Sequence, residues 1–317
     1  TGRPSRELPS TAPPAGSFTN WIENGTVVST NATYTFTVNA DRTLVANFSC
    51  NSNAPIGGIN GLFSVSASQQ VYFSQGNLQY KASTNTWRFA TNQYDYIGSA
   101  NGNISHYYLN WIDLFGWGTS GWNNGNTYYH PWDSSWGDSE TLYGPPGSYS
   151  LTGTYANSDW GVYNPISNGG NISNQWRTLK KSEWYYVFNT RSTASGIRYA
   201  KARINGVAGI VLLPDNWSLS VYNFSNANNP YSSYGSNTLT VSQWNILEQS
   251  GAVFLPAAGY RVGTSVEQVG SYGQYWSSTC WNNGGAQCVE FFDGYISIDG
   301  GISRCYGYSV RLVHDVE

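Results

Sequence analysis

The residues able to do covalent or metal chemistry are few: four cysteines and three histidines in 317 residues, with 18 carboxylates. Cys50, Cys280, Cys288 and Cys305 form no Cys-x-x-Cys pair, and His106, His130 and His314 stand far from them in sequence. That spacing argues against zinc, which draws its N and S ligands from short fixed intervals. Cys280, Cys288 and Cys305 share one short segment, where an oxidising compartment would permit a disulfide; the sequence does not choose among the pairings. The plainer reading is small thiols without chemistry. The histidines lack the Ser or Cys signatures of a triad. Asp133, Asp138 and Glu140 are close enough in sequence to act as paired carboxylates, but loop acids make turns far more often. The glycines are dispersed and none opens a helix after a strand, so no phosphate loop is present. No enzyme activity and no cofactor is expected, and what remains is recognition.

The composition points the same way. The chain holds 25 Tyr, 14 Trp and 12 Phe against 10% charged residues. Tyr and Trp combine a large apolar body with a polar tip, and a surface rich in them and poor in Lys and Glu has the make-up of a binding surface. A net charge of −3 offers no basic stripe for phosphates, which excludes nucleic acid as the expected partner. No apolar run is long enough to span a bilayer. The chain begins without Met or an apolar signal segment, so an export signal, on an extracellular reading, has been removed or lies outside this stretch.

The elements that must position such a surface read as strands. Residues 1–16, with Pro4, Pro9, Pro13 and Pro14, read as a linker. Residues 17–50 alternate as a small β unit, with Trp21, an Asn24-Gly25 turn, then Tyr34, Phe36 and Val38, then Leu44, Ala46 and Phe48. Cys50 to Gly58 reads as the joint to a second domain, 58–317, in which strand-like runs outnumber helical ones. Expected strands cover 63–66, 71–73, 78–81, 86–90, 207–213, 252–255, 274–277, 288–292 and 308–313. Two helices are expected: 183–188 capped by Ser182, and 243–248 capped by Ser242 or Thr240 and stopped at Gly251. The long stretch 97–174 lacks periodicity, and Trp111, Phe115, Trp117, Trp122, Trp132, Trp136 and Trp160 are expected to pin it, with stacking on a ligand as the alternative role.

Four strings carry a resemblance: Ile112-Asp113-Leu114-Phe115-Gly116-Trp117-Gly118-Thr119-Ser120, Leu255-Pro256-Ala257-Ala258-Gly259-Tyr260-Arg261, Tyr275-Trp276-Ser277-Ser278-Thr279 and Gly307-Tyr308-Ser309-Val310-Arg311-Leu312-Val313. Together they resemble the formylglycine-generating-enzyme branch of the C-type-lectin fold, and more closely the variable proteins of diversity-generating retroelements of gut bacteria and their phages. Tyr34 to Val38 and Thr43 to Phe48 resemble an internalin-B-like β repeat. The resemblance implies an α+β, C-type-lectin-like fold of mostly antiparallel strands and long loops behind a small N-terminal β unit. It also implies a receptor or adhesin, at the cell surface or on a phage particle, whose segment of about 276–308 is rewritten by adenine-specific mutagenesis. Codons of the AAY type cannot become Lys, Glu, Gln, Met or Trp, and 291–310 contains none of these.

On this resemblance Ala286, Val289, Phe291 and Arg304 are scaffold. The ligand-binding set is Cys280, Asn282, Asn283, Cys288, Phe292, Asp293, Tyr295, Ser297, Asp299, Ser303, Cys305 and Tyr306. Strand alternation gives the same logic independently, since one face can vary while the other holds the core. The implied partner is a protein, with a surface glycan as the second reading. An oxidase of the formylglycine-generating type is the third, and it is disfavoured because setting Arg311 on that fold's terminal Arg places Ile302 and Gly307 where two thiols should stand. The Glu-Pro-Asn or Gln-Pro-Asp tripeptide of calcium-dependent lectins is missing, and Trp281-Asn282-Asn283 is only a partial echo of their Trp-Asn-Asp.

Overall fold

The computed structural model describes residues 5–9, 16–23, 25–31, 33–37, 39–50, 53–125, 128–133, 135 and 143–316; Pro4, Pro13, Pro14, Asn24, Val38, Trp136, Asp138 and Glu140 lie outside them. The chain divides into two compact units, Thr1–Asn53 and Ala54–Glu317.

The first unit holds β1 (Ser5–Pro9), β2 (Gly16–Glu23), β3 (Thr26–Ser29), β4 (Thr33–Thr37) and β5 (Val45–Cys50). These form one β1-β4 pair and one three-stranded sheet in the order β3-β2-β5. Ser5–Pro9, expected to be linker, pairs with β4 from Ser5↔Thr37 to Pro9↔Thr33. The proline closes this edge strand and does not interrupt it, which is where a residue without an N–H is tolerated. Trp21 is buried, and Arg42 lies over the Phe36 ring at 4.5 Å while pairing with Glu23 at 2.6 Å.

The second unit is built mostly of antiparallel sheets with few short helices, an α+β architecture. Its strands are β6 (Phe63–Ser64), β7 (Gln70–Phe73), β8 (Leu78–Lys81), β9 (Thr86–Phe89), β10 (Trp111–Ile112), β11 (Arg177–Thr178), β12 (Tyr199–Ile204), β13 (Val207–Leu212) and β14 (Thr238–Leu239). They continue with β15 (Val253–Pro256), β16 (Tyr260–Val262), β17 (Ser265–Glu267), β18 (Gly273–Asn282), β19 (Gly285–Phe292), β20 (Tyr295–Ser303) and β21 (Leu312–Asp315). The last strand lies between β11 and β7, so the start and end of the unit are hydrogen-bonded together. β12 and β13 carry the central sheet, in the order β14-β12-β13-β15.

The helices are α1 (Trp160–Tyr163), α2 (Lys181–Tyr185), which runs into a wider turn over Tyr186–Thr190, and α3 (Val241–Gln249). Ser182 does not cap α2. The helix starts two residues earlier than expected, at Lys181, and its Glu183 carboxylate reaches back to accept from the Lys180 N–H at 2.7 Å. Thr240, and not Ser242, caps α3 and accepts from the Gln243 N–H at 3.3 Å. The chain leaves α3 through Gly251, whose φ of +91° suits glycine.

The stretch 97–174 is held as aromatic anchoring requires. Phe115, Trp117 and Trp160 are fully buried, while Trp111, Trp122 and Trp132 are half-buried. The Trp117 indole donates to the Ser277 carbonyl at 2.7 Å, and the Trp276 indole returns a bond of the same length to the Phe115 carbonyl. Asp113, fully buried, accepts from the Ile97 N–H and the Asn101 amide, each at 2.8 Å; burial still pushes its carboxyl up to about 6. These bonds fasten the long loops to β18, so the sheet β18-β19-β20 is supported from its first strand outward.

Candidate functional site

The sheet β18-β19-β20 is buried on both faces at its centre. Tyr275, Val289, Phe291 and Ile298 enter one hydrophobic cluster with Trp184 of α2, whereas Trp276, Ala286, Cys288 and Tyr308 enter another on the opposite side. Ala286, Val289, Phe291 and Arg304 are all 0% exposed, so their side chains are committed to the interior. The two ends of the β19–β20 hairpin and the outer edge along β20 carry side chains toward solvent, and Gln287 and Glu290 of β19 are half-buried between them. At about 3.3 Å per residue, the ends stand roughly 26 Å apart.

Each end is fastened by a buried cation that donates to backbone carbonyls. At the β18–β19 end the Arg304 guanidinium donates to the carbonyls of Gly285 at 3.3 Å, Gly147 at 2.7 Å, Asn282 at 3.3 Å and Pro145, and to the Cys280 sulfur at 3.1 Å. Its plane lies over the Trp117 ring at 4.6 Å. At the β19–β20 end the Lys201 ammonium of β12 donates to the carbonyls of Pro230 and Ser232, each at 2.9 Å, and of Phe292 at 2.7 Å. A carbonyl is present whatever the side chain, so every bond of both fastenings except the one to the Cys280 sulfur survives changes of side chain around them.

The residues named from sequence fall into three groups. At the first end Asn282 and Asn283 are exposed and Cys280 is half-buried; Ser303 pairs in register with Gly285, and Tyr306 packs between Tyr260 and Tyr308, 6.0 Å from each. At the second end Phe292 stacks on Tyr295 at 4.7 Å, and Asp293 forms the turn with Gly294. Ser297 and Asp299 lie along β20, where they line a groove of about 330 Å³ with Tyr185, Asn189, Arg198 and Asn228. Asp299 pairs with Lys181 of α2, both well exposed.

Three of the twelve need correction. Cys288 is 3% and Cys305 2% exposed, so neither presents a surface group. Cys288 lies opposite Trp276, under Tyr308, and burial pushes its thiol up. Alternation would have aimed it outward, but Tyr308 and Trp276 cover that face. Asp293 is exposed yet committed: its carboxylate accepts from the Tyr234 N–H at 2.7 Å and the Ser233 hydroxyl at 3.3 Å, which ties the turn to the loop beneath. Cys280, Cys288 and Cys305 are free thiols.

Sequence reasoning missed residues that stand beside these positions. Trp281 is 55% exposed and its ring rests on Gly301, where an added Cβ would come within 2.4 Å. Tyr272 stacks on Phe292 at 4.6 Å, which extends the row of rings to three. Gln274, Glu290 and Ser297 stand opposite one another across the three strands. The parity of β18 against Trp276 was the available signal for Tyr272 and Gln274. Among the described residues no group of three or more His, Cys, Asp or Glu could hold a metal ion, and no helix is long and apolar enough to cross a membrane. Compared with models of known protein families, with curated proteins and with solved structures, the chain matches none.

Proposed function

We propose that the chain is a ligand-binding receptor or adhesin with a C-type-lectin-like fold, displayed outside a bacterial cell or on a phage particle, whose β18–β20 segment is diversified to bind varied protein partners. The internalin-B-like first unit is then a spacer of the kind strung along surface proteins. The observation that carries this reading is the separation of roles along the hairpin. Side chains read as fixed are wholly buried, the hairpin is fastened through carbonyls, and Asn282, Asn283, Tyr295 and Asp299 are exposed at its ends and edge. Tyr offers large contact area at low entropy cost, and Asn and Ser offer adaptable hydrogen bonds, as in antibody loops. No enzyme activity is part of this reading.

The test has two arms. Sequencing the flanking DNA is expected to find a reverse transcriptase and a near-copy of the last coding segment that differs only at adenines. Exchange of Asn282, Asn283, Tyr295 and Asp299 for the residues of a sister sequence is expected to switch the captured partner without lowering Tm. Absence of the near-copy together with an unchanged partner overturns the proposal. A glycan is the second reading, favoured by the row Tyr272, Phe292 and Tyr295, whose stacked rings suit a sugar face; retention of partner capture after glycosidase treatment separates the two.

A further inference from the structure

The sheet's outer face carries a polar row between two aromatic ones. Gln274 of β18, Glu290 of β19 and Ser297 of β20 are cross-strand partners, so their side chains leave the same face. On the side toward the turn lie Tyr272, Phe292 and Tyr295, stacked at 4.6 and 4.7 Å. On the other side Tyr308 stacks on Trp276 at 4.5 Å, with Tyr260 and Tyr306 at 6.4 and 6.0 Å from it. Rows two residues apart on one face are about 7 Å apart, within reach of aromatic side chains.

The polar row lacks a positive charge. Glu290 is half-buried, and among the described residues no cation pairs with it; burial pushes its carboxyl up, and the carboxylate lies within electrostatic range of the Tyr308 hydroxyl. Gln274 is only 6% exposed and its buried Oε1 accepts no hydrogen bond. A half-buried carboxylate ordinarily has a donor beside it. Trp276 and Tyr308 are buried, but the part-exposed rings of Tyr260, Tyr272, Phe292 and Tyr306 add attraction for a cation, which favours a basic occupant over an anionic or purely apolar one.

We propose that Glu290, beside Gln274 and bordered by aromatic rings, forms a fixed subsite for one cationic side chain, Arg or Lys, of the protein partner. The inference rests on the receptor reading and deepens it: Glu cannot arise from an AAY codon, so this subsite would stay constant while its surroundings vary. A shared basic anchor would then set where each partner docks, and the varied residues would decide which partner is kept.

The probe is the tripeptide acetyl-Gly-Arg-Gly-amide, with citrulline in place of Arg as the neutral control, titrated against the full chain while the tyrosine ring resonances are followed by NMR. Saturable shifts are expected with the Arg peptide, weakened roughly tenfold by citrulline and by Glu290→Gln. Ser297→Lys supplies a cation from the strand opposite Glu290, so it is expected to raise Tm and abolish probe binding. Equal binding of the citrulline peptide, no saturable shift, or a Ser297→Lys variant of lower Tm that still binds the probe overturns the subsite. If the probe fails while exchange of the exposed hairpin residues still switches partners, this inference falls and the receptor reading stands.

Discussion

The two ends of the β19–β20 hairpin are fastened by the same device built from different cations. Arg304 belongs to the hairpin segment itself and grips four carbonyls and a sulfur with a planar fork. Lys201 comes from the neighbouring sheet and grips three carbonyls with a point charge that burial pushes down to about 8. The difference shows that what is shared is the acceptor: backbone oxygen holds both ends, and of the displayed side chains only Cys280 adds a bond, to Arg304. It also makes the Lys201 end the one that proton concentration can alter.

The largest effect that would break this comparison is at Arg304. Arg304→Met leaves buried carbonyls unsatisfied, and a loss of about 3–5 kcal/mol is expected in urea denaturation. Lys201→Met is expected to cost less, about 1–3 kcal/mol at pH 7, because it also removes a costly buried charge. The two ends are then separated by pH. An unfolded lysine titrates near 10.4, above the folded value of about 8, so between those values the unfolded chain binds more protons and stability rises with pH. That rise, measured between pH 8 and 10, is expected to disappear in Lys201→Met and persist in Arg304→Met. At the small end, Asp299→Asn is expected to change stability by less than about 1 kcal/mol, since its pair with Lys181 is exposed.

The sequence made some of this legible. Leu78–Lys81 alternates cleanly and is a strand with those bounds, and Thr240 with Gln243 spells a capping box that the helix uses. β12 was missed because Lys201 and Arg203 make Tyr-Ala-Lys-Ala-Arg-Ile look like a solvent-facing run, whereas the Lys201 ammonium is turned inward onto carbonyls. β20 was missed because Asp299-Gly300-Gly301 is turn chemistry, yet Gly300 is needed where the Cys288 sulfur would lie 2.9 Å from an added Cβ. At the site, alternation identified which side chains leave the sheet but not what lies above them. Tyr308 comes from beyond the hairpin to cover Cys288, and Asp293 is drawn to Tyr234 by a loop some 60 residues earlier in the chain. Such long-range covers leave no local mark in a single sequence.

The central claim is that a buried frame presents replaceable groups. Two libraries of the full chain test it most directly: one randomises Asn282, Asn283, Tyr295, Ser297 and Asp299, the other Ala286, Val289, Phe291 and Arg304, and thermal unfolding is measured for random clones of each. The account predicts that clones of the first set melt within about 5 °C of the parent, a shift of roughly 1–2 kcal/mol for a unit of this size, while most clones of the second fail to fold. Comparable losses in both libraries would contradict it.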